Sequence, residues 1–175
     1  MKTLLLLAVL CPLTVLARLG ENETQAKTRY GNAVPELIGP NEKPLLPGAR
    51  ELAYNFEGWR VRAAYVGNIT HRIEYVKIEN GQPKAITEDE VQAVLAAEAG
   101  KYKWREEKPR TGYDSLNKLQ TAVEGRKWER TDHALASLKL NLVLTLESRD
   151  ADKIEKKAAK AAGAATPTPG GKPKF

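Results

Sequence analysis

Two histidines are the side chains of this sequence best suited to act as a general base or a metal ligand near neutral pH. His71 lies on the apolar face of an alternating segment, where we expect it to fill core space left by the small Ala63. His133 directly follows Asp132, and adjacent residues of an extended chain point in opposite directions. The histidines therefore predict no catalytic residue and no metal site.

Other catalytic arrangements do not stand out either. The 22 acidic residues allow many carboxylate pairs, and a pair suited to glycoside hydrolysis is defined by its separation in space. The sequence contains no Gly-x-Ser-x-Gly, P-loop, dinucleotide-binding or His-Glu-x-x-His pattern. We therefore expect no cofactor, and an enzyme is the less favoured hypothesis.

Aromatic residues flanked by cations are the feature that best suits polymer binding. The run Tyr102-Lys103-Trp104-Arg105 has this composition. Such rings stack on bases or sugars while the cations bind phosphate. The alternative is packing at the core or the sheet edge, because period-two spacing alone explains these positions. The candidate binding surface comprises Trp59, Tyr102, Trp104, Arg105 and Trp128.

Residues 1–17 have the layout of a secretion signal. Lys2 is followed by an apolar run that ends at Ala17. The run is too short to span a bilayer and Pro12 interrupts it, so we expect cleavage near Ala17 and no membrane span in the mature chain. Cys11 is lost with this leader. The protein is therefore expected to be secreted or periplasmic, with neither a disulfide nor a cysteine metal site.

The basic charge of the chain is concentrated at its end. The formal charge is +6, and residues 151–175 carry six lysines against two acids, which accounts for +4 of it. The region 18–150 is left almost neutral, which argues against a nucleic-acid-binding core. We expect 151–175 to be a basic, disordered tail that does not fold on its own, because its Lys, Ala, Pro and Gly residues bury little apolar surface. Within it, residues 152–162 are predicted to form an exposed, weakly amphipathic helix. The cations of the tail either contact an anionic surface or stay solvated.

Composition divides the remaining chain into a linker and a domain. Residues 18–48 are polar and contain four prolines, which fix φ and remove backbone donors. We predict a polar, proline-rich linker over 18–48. From residue 49 to residue 150 the apolar residues become periodic, which indicates one folded domain.

Alternating residues on both sides of Gly67-Asn68 predict a β-hairpin near residues 54–79. A two-residue loop would place the apolar face of one strand beside the polar face of the other. We therefore predict a three-residue loop that begins at Val66. This register pairs Trp59 with Tyr75 and buries both rings on one side of the sheet.

The main helix is predicted near residues 88–99. Thr87 and Glu90 have the spacing of a capping box, and Gly100 follows as a stop signal. Val91, Val94, Leu95 and Glu98 fall on neighbouring turns of this helix.

Later segments add strands and a second helix. Alternation predicts short strands around residues 101–105 and 127–130, and helical spacing predicts a helix over 113–123. Residues 138–147 alternate for nine positions, which favours a strand, although the leucine spacing also fits a helix. The expected fold is α+β: an antiparallel sheet, made of the hairpin and the later strands, with the main helix packed on one face.

Four segments carry a resemblance to known proteins: Glu57–Tyr65, Ile73–Lys77, Ile86–Val91 and Trp128–Asp132. They resemble small exported bacterial proteins of unknown function over roughly residues 50–150. This resemblance implies a fold and a compartment, and it implies no activity and no site residue.

The favoured function is a non-enzymatic binding or structural module of the periplasm or cell envelope, with a protein or an anionic envelope polymer as partner. One alternative is a cell-wall hydrolase or hydrolase inhibitor, which needs a histidine beside a carboxylate in a concave site. The other is a weak binder of anionic polymer or nucleic acid through residues 151–175, whose affinity would fall with salt.

Overall fold

The computed structural model describes residues 18–107 and 125–164, with side chains described as far as residue 161. Within these ranges, eight strands form one antiparallel sheet accompanied by three α-helices. The predicted α+β class is therefore confirmed. The predicted leader (1–17) and the predicted helix over 113–123 lie outside the described residues.

The sheet has the strand order β1-β2-β3-β8-β7-β6-β5, and β4 pairs with the end of β3. The strands are β1 (Arg50–Phe56), β2 (Trp59–Val66), β3 (Ile69–Glu79), β4 (Gln82–Lys84), β5 (Trp104–Glu106), β6 (Arg126–Arg130), β7 (Leu135–Lys139) and β8 (Val143–Glu147). The helices are α1 (Glu23–Tyr30), α2 (Glu88–Ala99) and α3 (Ala151–Ala164), and a short 3-10 helix covers Pro35–Leu37.

The hydrophobic core lies between one face of the sheet and the helices α1 and α2. Residues paired across neighbouring strands, such as Ala63 with Ile73, are buried together on this face. Helix α2 begins at the N-cap Thr87, which forms a capping box with Glu90, and ends before Gly100. The main helix is thus confirmed, with its bounds as predicted.

The β2–β3 hairpin is present, but the predicted register is wrong. Its loop has two residues, Gly67 and Asn68, both with positive φ (60° and 63°), as a type I′ turn requires. Trp59 pairs with Lys77 rather than with Tyr75. The rings of Trp59 and Tyr75 nevertheless lie on the same side of the sheet, with centroids 6.3 Å apart, so their predicted shared face is confirmed.

A β-bulge resolves the polarity conflict that argued against a two-residue loop. The register shifts between Ala64 and Tyr65, and His71 has no partner on β2. One extra residue on β3 returns the following apolar side chains to the core face. His71 is half-buried at this bulge, with Nδ1 2.9 Å from Ser148 Oγ. The prediction that His71 fills core space beside Ala63 is therefore wrong.

Residues 138–147 form a hairpin and not one strand. β7 ends at Lys139, β8 begins at Val143, and Leu140 and Asn141 at the turn have φ values of 52° and 54°. Leucine occupies every second position on both sides of the turn because both strands place these side chains in the same core. Leu140, at the tip, is 74% exposed.

Replacing Leu140 with asparagine is expected to stabilise the protein by about 0.5–1 kcal/mol. A positive φ is unfavourable for most residues with a Cβ, and asparagine tolerates it best among them. The side chain of Leu140 is largely in solvent, so little packing is lost. Urea denaturation measures the change. Leu140→Ala is the control, because alanine keeps the backbone penalty. Equal stability of the two variants would rule out backbone strain at this turn.

Residues 18–48 pack on the domain, so the linker prediction is wrong. Ala26 and Tyr30 of α1 belong to the core, and Leu46 is fully buried under the other face of the sheet. The loop around Leu46 is held by buried Arg62, whose Nη1 lies 2.7 Å from Glu42 and whose Nη2 donates to Lys43 O at 3.1 Å. This ion pair and this hydrogen bond, together with the burial of Ala26, Tyr30 and Leu46, attach the segment to the sheet.

Residues 151–164 form helix α3, as the alternation of apolar and charged residues in this segment allows. Ala151 is buried and Ile154 is half-buried, so the first turn of α3 packs on the domain. The helix predicted over 152–162 is therefore confirmed, whereas the prediction of a disordered tail is wrong for this part. Among the helices of the described residues, none has the length and apolar character needed to cross a membrane.

Candidate functional site

The candidate aromatic surface does not form one exposed face. Trp128 is only 2% exposed and lies under the guanidinium of Arg126, 4.8 Å from its ring centroid. Trp59 and Trp104 are half-buried against the core. The expectation that Trp128 contacts a partner is therefore wrong, and packing accounts for the three tryptophans.

Arg105 and Tyr102 also occupy separate environments. The side chain of Arg105 is 84% exposed, and its Nη2 lies 3.6 Å from Glu129 Oε2. Tyr102 is half-buried and contacts the guanidinium of Arg130, 5.1 Å from its ring centroid. The structure thus brings Tyr102 and Trp104 together around Arg130, and leaves Arg105 in solvent.

Arg130 is a buried cation that sequence reasoning missed. Its guanidinium lies between the rings of Tyr102 and Trp104, at 5.1 Å and 5.3 Å. Nη1 donates to the backbone carbonyl of Glu98 at 2.6 Å, in the last turn of α2, where carbonyls lack helical partners. Nε and Nη2 donate to both oxygens of Asp132, at 2.7 Å and 2.9 Å. Arg130 therefore joins α2, β5 and β6.

Glu98 is a fully buried carboxyl group on the core side of α2. The hydroxyl of Tyr75 lies 2.9 Å from Oε1, and the backbone N–H of Leu19 donates to Oε2 at 3.3 Å. Tyr30 extends the chain, since its hydroxyl lies 3.1 Å from that of Tyr75. Desolvation raises the pKa of Glu98 to about 8, against the hydrogen bonds from Tyr75 and Leu19 and the charge of Arg130, which lower it.

A perturbed carboxyl group of this kind marks many active sites, but Glu98 has no exposed surface. Its two oxygens are used by Tyr75 and by the backbone of Leu19. It therefore ties the first described residues to α2 and to the sheet. The arrangement serves folding, and a solution ligand does not reach it.

The histidines do not assemble a catalytic site in the described residues. His133 has Nδ1 2.8 Å from Glu129 Oε1, but His133 lies on the exposed turn after β6, and Glu129 is a half-buried residue of β6. His71 is bonded to Ser148 at the bulge in β3. No group of three or more His, Cys, Asp or Glu side chains in residues 18–107 and 125–161 is placed to hold a metal ion.

Helix α3 presents a row of lysines, which we call the lysine stripe: Lys153, Lys156, Lys157 and Lys160. Their spacing of i, i+3, i+4 and i+7 places all four on one side of an α-helix. All four are exposed. Lys153 pairs with Asp150 at 3.0 Å. Within the described residues, no carboxylate pairs with Lys156, Lys157 or Lys160.

The opposite side of α3 is attached to the domain. Ala151 is buried, and Ile154 and Ala158 are half-buried. Nη2 of Arg72, on β3, lies 3.0 Å from Oε2 of Glu155, and Nε of Arg72 lies 3.1 Å from Oε1 of Glu147 on β8. These contacts hold the helix so that the lysine stripe faces solvent. The spacing of the four lysines is a property of the sequence, but the lysines form one fixed, solvent-facing row only because α3 is attached to the domain.

Comparisons with known proteins give no relative from which a role could be transferred. No family model, curated protein or solved structure matches this chain. The lysine stripe combines four exposed cations on one side of a docked helix, and three of them have no carboxylate partner among the described residues.

Proposed function

We propose that this protein is exported and acts as a non-enzymatic binding module of the periplasm or cell envelope, where the lysine stripe holds an anionic partner. The observation that carries the proposal is a set of three exposed lysines without a carboxylate partner in residues 18–107 and 125–161, on a helix that is fixed to the domain. A fixed row of like charges attracts a polyanion, whereas it repels itself when no partner is bound.

The distribution of charge supports this function. The region 18–150 is almost neutral, and residues 151–175 carry most of the net charge. The arginines of the sheet are already occupied: Arg62, Arg72 and Arg130 each pair with a carboxylate of this chain. Attraction toward an external anion is therefore favoured at the end of the chain, which contains the lysine stripe.

Export supports the same assignment through the leader at residues 1–17. Protein isolated from the envelope fraction of its native cells is then expected to begin at Arg18. Arg18 and Leu19 are the first described residues, and they contact α2 through Ala97 O and Glu98. A mature chain that begins there retains both contacts.

Binding of the mature chain, residues 18–175, to its native envelope fraction tests the proposal. For the variant Lys156→Gln/Lys157→Gln/Lys160→Gln, we expect the amount of protein bound to the envelope fraction at low salt to be at least 10-fold lower than for the wild type, because three charge contacts are removed. Co-sedimentation measures this loss.

The matched control changes the same number of charges elsewhere. Lys27, Lys43 and Lys103 have exposed side chains without a carboxylate partner among the described residues. Their simultaneous change to glutamine is expected to leave binding within about twofold, since general attraction to net charge is weak and screened. Equal losses in the two triple variants would show nonspecific charge attraction and would refute a site on α3.

A further inference from the structure

We infer that removal of the leader creates an ion pair that fixes the start of the mature chain, between the new α-ammonium group of Arg18 and the carboxylate of Glu21. This inference rests on the proposed function, in which the exported protein is cleaved near Ala17. It adds a link between processing and folding, in which the lysine stripe takes no part. We call residues 18–21 with this ion pair the N-terminal latch.

The backbone nitrogen of Arg18 faces a carboxylate, and cleavage changes the charge of that nitrogen. It lies 3.2 Å from Oε2 of Glu21. While the leader is attached, this nitrogen belongs to a peptide bond and has one N–H and no charge. In the mature chain it is an α-amino group, which is protonated below about pH 8. Two full charges of opposite sign attract each other more strongly than a carboxylate attracts an amide, so cleavage strengthens this contact.

Glu21 is held in place to receive the new cation. Its Oε1 lies 2.6 Å from Nη2 of Arg29, in α1, and the side chains of Glu21 and Arg29 are only 14% and 9% exposed. Its other oxygen, Oε2, faces the nitrogen of Arg18. Water and salt screen charges less at such a position than on the open surface. One carboxylate therefore joins α1 to the first residue of the mature chain.

Hydrogen bonds to two elements hold the nitrogen of Arg18 in this position. Nε of Arg18 donates to the carbonyl of Ala97, in α2, at 3.1 Å. On β3, Thr70 pairs with the segment: the N–H of Gly20 donates to Thr70 O and the N–H of Thr70 donates to Glu21 O, both at 2.9 Å. The ammonium group therefore forms beside its partner, and little conformational entropy is lost when the two pair.

The charged groups around the latch leave Glu21 as the acceptor. The guanidinium of Arg18 is directed to α2 through its bond to Ala97 O. Glu98 is also close, but its Oε2 accepts from the N–H of Leu19 at 3.3 Å and its Oε1 is bonded to Tyr75. Because the precursor lacks the α-ammonium group, the folded state gains this ion pair only after the leader has been removed.

A double-mutant cycle tests the latch with isolated protein. It compares the mature chain, residues 18–175, with the chain 15–175, which retains three leader residues and in which the nitrogen of Arg18 is an amide. Both chains have one α-amino group, so their net charge is the same. We expect the folding equilibrium constant of 15–175 to be lower by at least about 3-fold in the wild type, and by less than about 1.5-fold when both chains carry Glu21→Gln. Urea denaturation at about pH 6, followed by tryptophan fluorescence, measures these constants.

Two further variants separate the latch from other effects. Glu36→Gln removes an exposed carboxyl group elsewhere, and we expect the loss caused by the three additional residues to be the same as in the wild type. Glu21→Gln/Arg29→Met removes the buried cation together with its partner, and it replaces Glu21→Gln if that variant does not fold. In this double variant the additional residues should again change the folding equilibrium constant by less than about 1.5-fold.

The outcomes separate the latch from the proposed function. An equal loss in the wild type and in the Glu21 variants, or no loss in the wild type, would overturn the latch and leave binding at the lysine stripe standing. The expected coupling in a mature chain that does not bind the envelope fraction would overturn the binding function alone. N-terminal sequencing of protein from native cells tests the shared premise: Arg18 as first residue supports the latch, and any other first residue would overturn it.

Discussion

Replacing Arg130 with methionine is expected to lower the free energy of unfolding by about 3 kcal/mol. The substitution leaves the carbonyl of Glu98 without its donor from Arg130 and removes the two hydrogen bonds that Asp132 accepts from Arg130. Losing one partner of a buried ion pair costs about 3–5 kcal/mol, and the lower value applies because Asp132 is partly exposed. Urea denaturation followed by tryptophan fluorescence measures the change.

Two further variants identify the cause of that loss. Arg130→Lys keeps the charge but cannot form the fork on Asp132, so we expect it to recover less than half of the lost stability. Arg105→Met removes an arginine whose side chain is 84% exposed in the same part of the sheet, and we expect a change below about 0.5 kcal/mol. If Arg130→Met were no less stable than Arg105→Met, Arg130 would not hold α2 to β5 and β6.

The second large effect is a dependence of stability on pH that comes from Glu98. Burial raises the pKa of this carboxyl group to about 8 in the folded protein, whereas an exposed glutamate has a pKa of about 4.5. Between these values the folded state keeps the proton and the unfolded state releases it. The free energy of unfolding should therefore fall as pH rises from about 4.5 to 8, by about 1 kcal/mol for each pH unit.

Glu98→Gln should remove this slope, because glutamine resembles the neutral acid. Its carbonyl can accept from the N–H of Leu19, and its amide can donate to the hydroxyl of Tyr75, which in turn donates to Tyr30. We expect the free energy of unfolding of the variant to be equal to or lower than that of the wild type at pH 5, and higher than that of the wild type at pH 8. Urea denaturation across this pH range gives both curves.

The control is Glu36→Gln, which removes an exposed carboxyl group outside the core. The free energy of unfolding of this variant, plotted against pH, should run parallel to that of the wild type. If the Glu98→Gln curve also ran parallel, Glu98 would be ionised in the folded protein throughout this range, and burial would not control its proton.

The sequence predicted best where local signals agreed with the packing. Helix α2 begins and ends where its capping box and Gly100 indicated, because these signals act through neighbouring backbone groups. Alternation located β2 and β3 and put Trp59 on the same side as Tyr75. The alternation did not reveal the bulge at His71, because the bulge changes which residues of β2 and β3 are paired and leaves the alternation within β2 unchanged.

Contacts between distant residues explain most of what was missed. Residues 18–48 have few apolar residues, and Arg62 holds this segment by pairing with Glu42, which is 20 positions away. Glu98 shares the face of Val91, Val94 and Leu95, so an acid on an apolar helix face was a usable sign of a buried carboxyl group. Its partners Leu19 and Tyr75 were not visible in the local pattern.

The lysine stripe likewise depends partly on the local sequence and partly on contacts between distant residues. The charge of residues 151–175 and the spacing of their lysines are properties of the sequence alone. The direction in which the lysines point depends on Ala151 and on the contact between Arg72 and Glu155. The aromatic residues favoured from composition were a weaker guide, because Trp128 and Trp104 pack in the protein beside Arg126 and Arg130.

Backbone amide chemical shifts of the mature chain, recorded during titration with soluble anionic polymer prepared from its native envelope fraction, test the role of the lysine stripe most directly. We expect the shift changes to concentrate in residues 153–161, to reverse on addition of salt, and to vanish in Lys156→Gln/Lys157→Gln/Lys160→Gln. Shifts that leave α3 unchanged and concentrate elsewhere on the domain would contradict that role.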